Sequence, residues 1–338
     1  MRSPLVSVII PCYNEEATIC GVLNAIRDQT LSVSDVEVVI ADGNSTDRTR
    51  EKINEFKKTH PELPIKLVEN TKRIIPAALN LGLANAAGEY IVRMDGHTIP
   101  ATDYLEKCVL ALKAGKGENV GGVLEVKPGR NTWIARSIAM AAVHPLGVGD
   151  ALYRRATVAT EADTVAFGSF RRSLVERIGY FDETLPVNED YEFNTRIRAS
   201  GGKIWIDPSI KAAYYSRPDL KSLARQYFSY GYWKFKMLQR YPGTIRWRQA
   251  LPPIFVFGIL MLLLLSVFWN LSRLALAAAI ISYWVILIVG SIKPAIKTKQ
   301  PMSVIGIPLA IATMHVSWGS GFWWSLLKRV FTEKQNGR

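Results

Sequence analysis

The chain has 338 residues, enough for one large domain or two ordinary ones, and a formal net charge of +13. That charge favours acidic partners such as nucleic acid, anionic lipid or phosphorylated substrates, and the lack of any nucleic-acid-binding motif argues against the first. Three cysteines, Cys12, Cys20 and Cys108, are an odd number without paired spacing, which argues against a disulfide framework and fits a reducing compartment.

The N-terminal stretch MRSPLVSVIIPCYNEE carries an apolar run of only about seven residues before charge appears, too short for a signal peptide, and reads as a first strand. LVSVIIP (5–11) is almost continuously apolar, as in a strand buried on both faces. EEATICGVLNAIRDQT follows with helical spacing at Ile19, Leu23 and Ile26. VEVVIA (36–41) is a second strand, STDRTREKINEFKKTH a second helix, IKLVEN (65–70) a third strand, IPAALNLGLANA a third helix and EYIVRM (89–94) a fourth strand. Strands alternating with helices imply right-handed crossovers and a doubly wound α/β sheet. Ligands in such sheets lie beyond the carboxyl ends of the strands, where PCYNE, DGNSTD and DGH all fall.

Between 120 and 217 the rhythm loosens. VGGVLEV and DTVAFGSF read as strands, NTWIARSIAMAAV and NEDYEFNTRIRAS as helices. Residues 219–241 mix basic and aromatic side chains at helical spacing, which suits an amphipathic helix in a membrane interface over 218–248, with a solvated helix carrying an aromatic core face as the alternative. Segments 251–269 and 274–292 each approach the roughly 20 apolar residues that cross a bilayer and form a hairpin through a tight NLSR turn. Segment 303–327 is long enough for a third crossing, but Pro308 and its Gly-Ser-Gly also suit a broken, re-entrant or interfacial segment. Arg246 and Arg248 before the hairpin, with Lys293, Lys297 and Lys299 after it, place both flanks and the N-terminal domain in the cytoplasm; Lys328 and Arg329 conflict with a simple third crossing.

Three strand-end motifs carry candidate chemistry. In PCYNEE, Glu15 or Glu16 is placed to bind a ribose hydroxyl, or only to favour a helix start capped by Asn14. In DGNSTD, Asp42 could accept from a base edge, while Asp47 suits a helix cap. In VRMDGHTIP, Asp95 and His97 stand two apart, as a metal site, a catalytic pair or a polar turn. NEDYE (188–192) offers a carboxylate at a helix start, a candidate general base or an acidic first turn. Arg171 and Arg172 could meet a phosphate or be plain surface residues.

P-C-Y-N-E, then D-G-N-S-T-D, then ALNLGLANAAGEYIVRMDGH and AFGSFRRSLVERIGYFDETLPVNEDYEFNTRIRASGGKIWIDP resemble, in that order over about residues 5–240, the family 2 glycosyltransferases of GT-A fold. The resemblance implies a Rossmann-like nucleotide-binding half and an acceptor half over 1–217, followed by membrane helices over 249–330. It also implies a nucleotide-sugar donor and a divalent metal, Mn²⁺ or Mg²⁺. By the same resemblance Pro11, Tyr13, Glu15 and Asp42 face the nucleoside, although Gly43 stands where many members have a second Asp. Asp95 matches the first acid of the D-x-D metal motif and His97 replaces the second, a donor set acceptable to Mn²⁺ and less usual for Mg²⁺. Asp190 matches the catalytic base, with Glu189 its nearest competitor.

A narrower likeness is to membrane glucosyltransferases of succinoglycan-type exopolysaccharide assembly. It implies an inverting transfer of glucose from UDP-glucose to a lipid-linked oligosaccharide at the cytoplasmic membrane face, with Arg225 and Lys234 attracting the lipid or its diphosphate. The Q-x-x-R-W pattern of processive members is absent from 225–236, which argues against a polymerising synthase. A polyprenyl-phosphate sugar synthase and a non-catalytic nucleotide-binding membrane scaffold are the alternatives.

Overall fold

The computed structural model describes residues 3–336, with side chains as far as Phe331. The first third alternates as expected: β1 Val6–Cys12, α1 Ile19–Arg27, β2 Val36–Asp42, α2 Thr49–Thr59, β3 Ile65–Glu69, α3 Ile75–Asn85 and β4 Tyr90–Arg93. The chain continues with β5 Thr98–Pro100, α4 Tyr104–Lys113, β6 Asn119–Lys127, α5 Trp133–Ala141, α6 Pro145–Val148, α7 Leu152–Arg155 and β7 Thr160–Glu161. Then come β8 Ser169–Arg171, α8 Ser173–Ile178, α9 Glu189–Ala199 and β9 Ile204–Tyr215. Four long helices follow: α10 Leu220–Arg240, α11 Trp247–Leu265, α12 Asn270–Lys297 and α13 Ser303–Asn336.

The chain divides into two compact units. The first runs to Glu125 and resumes over Ala151–Tyr214; the second joins Val126–Asp150 to the residues from Tyr215 onward. The domain expected over 1–217 is therefore interrupted. Its segment bearing α5 and α6 belongs with the C-terminal helices, because Ile138 and Ala141 share a core with Leu223, Leu287, Ile307, Ile311 and Met314.

The first unit is built on one mixed sheet in the order β3-β2-β1-β4-β8-β6-β9-β5, with β7 on β9. β1 pairs in parallel with β2 and β4, and β2 with β3; β8 runs antiparallel to β4 and β6. Val6, Val8 and Ile10 of β1 and Val36, Val38 and Ile40 of β2 face α1 and α2 through Val22, Leu23, Ile26, Ile53 and Phe56. Ile9, Val39 and Ile91 point the other way, onto Leu79 and Leu83 of α3 and Phe193 and Ile197 of α9. Burial on both faces is why these strands read as unbroken apolar runs. With α1 on one face and α3 on the other, the winding reverses at β1, and ligands of such sheets bind beyond the carboxyl end of the strand at that point.

The strand expected over 163–170 is reduced to Ser169–Arg171. Phe167 takes a left-handed φ of 53°, and Thr164 is tied by its hydroxyl to Asn194, so this stretch bonds through side chains and loses its ladder. β9 was not legible, since Pro208 interrupts its pattern.

In the second unit α11, α12 and α13 are each long and apolar enough to cross a membrane. α13 runs unbroken through Gly319-Ser320-Gly321, so of the readings the sequence left open the broken helix is not the one adopted. The glycines serve close helix approach instead. A Cβ on Gly319 would overlap the Pro252 carbonyl of α11, one on Gly321 the Phe228 carbonyl of α10, and one on Gly231 of α10 the Trp318 carbonyl of α13. α10 starts with Asp219 accepting from the Ser222 amide at 2.8 Å and packs aromatic rings on α13: Tyr230 meets Trp318, and Phe235 meets Phe322 edge-on at 5.2 Å.

Gly321→Ala is expected to destabilise the second unit by about 1–3 kcal/mol through overpacking. Gly258→Ala, where nothing lies within 4 Å of the new methyl, should be neutral or stabilising. Thermal unfolding of both variants in detergent checks the contrast, which disappears if the α10–α13 approach is loose.

Candidate active site

The register of β1 on β2 aligns Cys12 with Asp42, so the PCYNEE and DGNSTD loops leave the sheet side by side. Hydrogen bonds running both ways zip them together. The Asn14 amide donates to Ser45 Oγ (2.9 Å), the Glu15 amide to Thr49 Oγ1 (2.8 Å) and the Glu16 amide to Asp47 Oδ2 (3.2 Å). In return the Thr46 amide donates to Asn14 Oδ1 (2.8 Å), the Arg48 amide to Glu16 Oε2 (2.9 Å) and Lys52 Nζ to the Glu16 carbonyl (2.8 Å). Asn14 and Asn44 adopt left-handed φ values of 55° and 59°, which asparagine tolerates better than most residues. Asp42 closes its own turn: it is fully buried, Oδ1 accepts from Ser45 Oγ (2.5 Å), and Arg50 lies 3.6 Å from Oδ2. Tyr13 is 49% exposed and lies against Gly43.

At the end of β4 the chain turns sharply, the Thr98 amide donating to the Asp95 carbonyl at 3.1 Å. His97 Nδ1 lies 2.8 Å from Glu15 Oε1, and Glu15 Oε2 accepts from Thr18 Oγ1 at 2.7 Å. A carboxylate accepts, so this contact calls for a proton on Nδ1. Gly96 lets Glu15 lie close: a Cβ there would sit 3.0 Å from Glu15 Cγ.

Arg93 joins this edge to α9. Its Nη2 donates to Glu189 Oε1 at 2.8 Å and lies 3.4 Å from Asp95 Oδ1; Arg93 is 6% exposed. Burial opposes its charge, but Glu189, Asp95 and Asp190 outweigh that and hold the guanidinium protonated. Its Nε and Nη1 are buried without a hydrogen-bond partner among the described residues. Burial pushes the Glu189 carboxyl up to about 7 against the pull of Arg93. Asp190, partly exposed, is likewise raised by burial, with Arg93 opposing, and its Oδ1 accepts from the Tyr191 amide at 2.7 Å.

α9 is held firmly behind these acids. Arg196 grips the fully buried Glu192 with two bonds (2.6 and 2.9 Å) and donates to the carbonyls of Ile178 and Tyr180. Asn80 of α3 exchanges hydrogen bonds with the Phe181 amide and carbonyl (2.9 and 3.0 Å), fixing the loop that leads into α9. A helix start bearing carboxylates, rigidly seated beside a strand-end acid and a carboxylate-oriented histidine, can deprotonate one ligand while holding the charged groups of another.

Residues 7–179 match the family described as glycosyl transferase family 2. The chain belongs to that family. It is 30% identical over 328 residues to the succinoglycan biosynthesis protein ExoA of Rhizobium meliloti, covering 95% of this chain and 94% of the relative. It is 29% identical over 336 residues, 97% of this chain and 99% of the relative, to a dolichyl N-acetyl-alpha-D-glucosaminyl phosphate 3-beta-D-2,3-diacetamido-2,3-dideoxy-beta-D-glucuronosyltransferase of Methanococcus voltae. The fold is shared with the mannosyltransferase PcManGT of Pyrobaculum calidifontis, solved with GDP-Man and Mn²⁺, at a TM-score of 0.62 and 24% identity over 93% of this chain and 88% of that one.

In this glycosyltransferase the predicted residues gather unevenly. Pro11, Tyr13, Glu15, Asp42, Asp95 and His97 come to one edge of the sheet, and Arg93 links Asp95 to Glu189. Glu15 spends both carboxylate oxygens on His97 and Thr18, and Asp42 spends its own on the DGNS turn, so of the residues expected at the nucleoside Tyr13 is the exposed one. Arg171 lies away from the donor edge: it stands opposite Tyr90 at the amino end of β4, pairs with Glu89 and stacks on the Tyr90 ring. Arg172 turns toward the Ala86 carbonyl at 3.5 Å, so neither arginine meets a phosphate at the strand ends. Lys234 is 1% exposed, with Nζ donating to the Thr244 carbonyl at 3.1 Å inside the second unit, so it is not available to lipid. Arg225 lies on α10 of that unit.

Sequence reasoning missed Arg93, although it stands inside VRMDGH. The available signal was a charge in a strand buried on both faces, which requires a partner. The Glu15–His97 pair, 82 residues apart, had no local signal.

No group of three His, Cys, Asp or Glu side chains is arranged for a metal among the described residues. Asp95 and His97 would supply two donors, and a diphosphate and water would complete the shell, as a cation that serves a diphosphate commonly has. The Glu15 carboxylate on the opposite ring nitrogen is the support that ligating histidines generally have.

Arg93→Met leaves Glu189 buried without its counter-charge and is expected to cost roughly 3–5 kcal/mol by denaturant unfolding. Adding Glu189→Leu should recover a large part of that loss, since the second orphan is removed. Strict additivity of the two losses would deny the pairing.

Proposed function

We propose that this transferase moves a sugar, glucose from UDP-glucose being the first candidate, from a nucleotide-sugar donor to a lipid-linked glycan at the cytoplasmic face of the membrane. The observation that carries the reading is the seating of Asp190 at the start of α9, joined through Glu189 and Arg93 to Asp95 at the donor edge. The Methanococcus voltae relative is named for a dolichyl phosphate-linked acceptor, which supports a lipid-linked glycan, and the Rhizobium meliloti one for succinoglycan biosynthesis.

Tyr13 offers its exposed ring to the base, and the zipped loops keep it in place. Asp95 and His97 would hold Mn²⁺ or Mg²⁺, which neutralises charge on the departing diphosphate. Asp190 accepts the proton of the acceptor hydroxyl as its oxygen bonds to the anomeric carbon. The bond from that carbon to the diphosphate breaks on the opposite side, so the nucleoside diphosphate leaves and the configuration inverts. The Arg93 charge opposes burial at both carboxyls and so limits how far the Asp190 carboxyl rises. The hairpin of α11 and α12 spans the membrane, and the basic residues Arg246, Arg248, Lys293 and Lys297 at its near ends keep the catalytic unit cytoplasmic.

Asp190→Asn is expected to lower transfer by about 10²–10⁴-fold with donor affinity preserved. Near-normal turnover would remove Asp190 from the role. The raised carboxyl also sets the direction of the pH profile: the base is lost as pH falls through its elevated value, so kcat/KM should drop at a pH above that of an ordinary aspartate. Transfer of labelled sugar to extracted lipid-linked acceptors, with a panel of nucleotide-sugars, measures both. Donor hydrolysis without acceptor dependence would argue against the glycan acceptor.

A further inference from the structure

We infer that α13 lies in the plane of the membrane interface as a lipid-facing platform across the base of the hairpin, and does not cross as a third span. The inference rests on the reading that α11 and α12 span the membrane.

The level of its contacts carries the argument. Against α11, α13 meets the beginning of the helix: Trp318 Nε1 donates to the Gln249 carbonyl (3.1 Å), Trp323 Nε1 to the Pro253 carbonyl (2.9 Å), and the Trp323 ring stacks on Phe257 at 5.1 Å. Against α12, it meets the second half: Tyr283 Oη lies 3.0 Å from His315 Nδ1, and Leu287 shares a core with Ile307, Ile311 and Met314. From Ile307 to Trp323, α13 advances about 24 Å. Over that distance its hairpin partners stay near one level. Helices crossing a bilayer side by side exchange partners at equal rates along both axes; a constant level means a transverse crossing.

Burial agrees. No residue from Ile254 to Ile286 is buried, so roughly 20 Å of α12, from Asn270 to Tyr283, projects beyond α13. A parallel third span of this length would have covered it. α13 itself is two-faced. Ile307, Ala310, Ile311, Met314 and Ser325 are buried, while Ile305, Val316, Leu327, Val330, Phe331 and Trp324 are exposed. At 100° per residue those six fall within a stripe roughly 120° wide that runs the length of the helix. An apolar stripe opposite a protein-packed face, continuous with a spanning hairpin, fits the headgroup–acyl boundary of a bilayer. Both ends of α13 then stay on the side where the hairpin enters, and Lys328 and Arg329 cease to conflict with the charges flanking it.

The test uses the full chain in a bacterial host. Alkaline phosphatase, active only outside the inner membrane, or a green fluorescent protein, fluorescent only inside, is fused after residue 338. In parallel, Phe268→Cys at the hairpin turn is labelled with an impermeant maleimide in intact cells. The expected result is a fluorescent, phosphatase-inactive C-terminus together with labelling at the turn. An active phosphatase with labelling at the turn shows a third crossing and overturns the inference. A turn that labels only after lysis shows that the hairpin does not span, which overturns the hairpin reading and the inference with it.

Discussion

A buried guanidinium must find carboxylates, and Arg93 finds one two residues along the chain, Asp95, and one on the distant α9, Glu189. That requirement organises the catalytic unit. β4 is covered on both faces, so the charge cannot turn to water, and an unpaired ion there would cost several kcal/mol. Pairing with Glu189 draws the start of α9 to the carboxyl edge of β4, which places Asp190 within electrostatic reach of Arg93 and Asp95. The Glu192–Arg196 grip and the Asn80 bonds keep α9 at that position from behind.

The same logic of one group orienting another recurs at the donor edge. Glu15 orients the His97 ring, Asp42 closes the turn against which Tyr13 lies, and the two loops exchange backbone and side-chain bonds. Several acids that look like ligand contacts in the sequence are therefore supports of the residues that would make those contacts. This separates the roles of Glu15 and Asp42 from those of Asp95, His97 and Asp190. It also explains how a chain with DGN and DGH in place of richer acidic motifs can keep an ordered site.

The second unit follows a different economy. Its helices gain little from apolar burial where lipid is the solvent, so glycines at 231, 319 and 321 bring backbones together, and tryptophan N–H groups bond to carbonyls of neighbouring helices. The Gly-Ser-Gly that suggested a break is a packing surface. α5, read from sequence as part of the catalytic domain, joins this unit because its apolar face matches α13 and α12.

The sequence by itself determined the strand–helix rhythm, the family, the apolar hairpin and the strand-end acids. Each of these rests on local periodicity or on a motif short enough to read along the chain. Tertiary structure alone decided that Glu15 holds His97, that Arg93 joins Asp95 to Glu189, that Lys234 is buried, and that residues 126–150 leave the catalytic unit. Those outcomes depend on contacts between residues tens to more than a hundred positions apart, where the cost of burying a charge or an apolar face selects the partner and no local pattern names it.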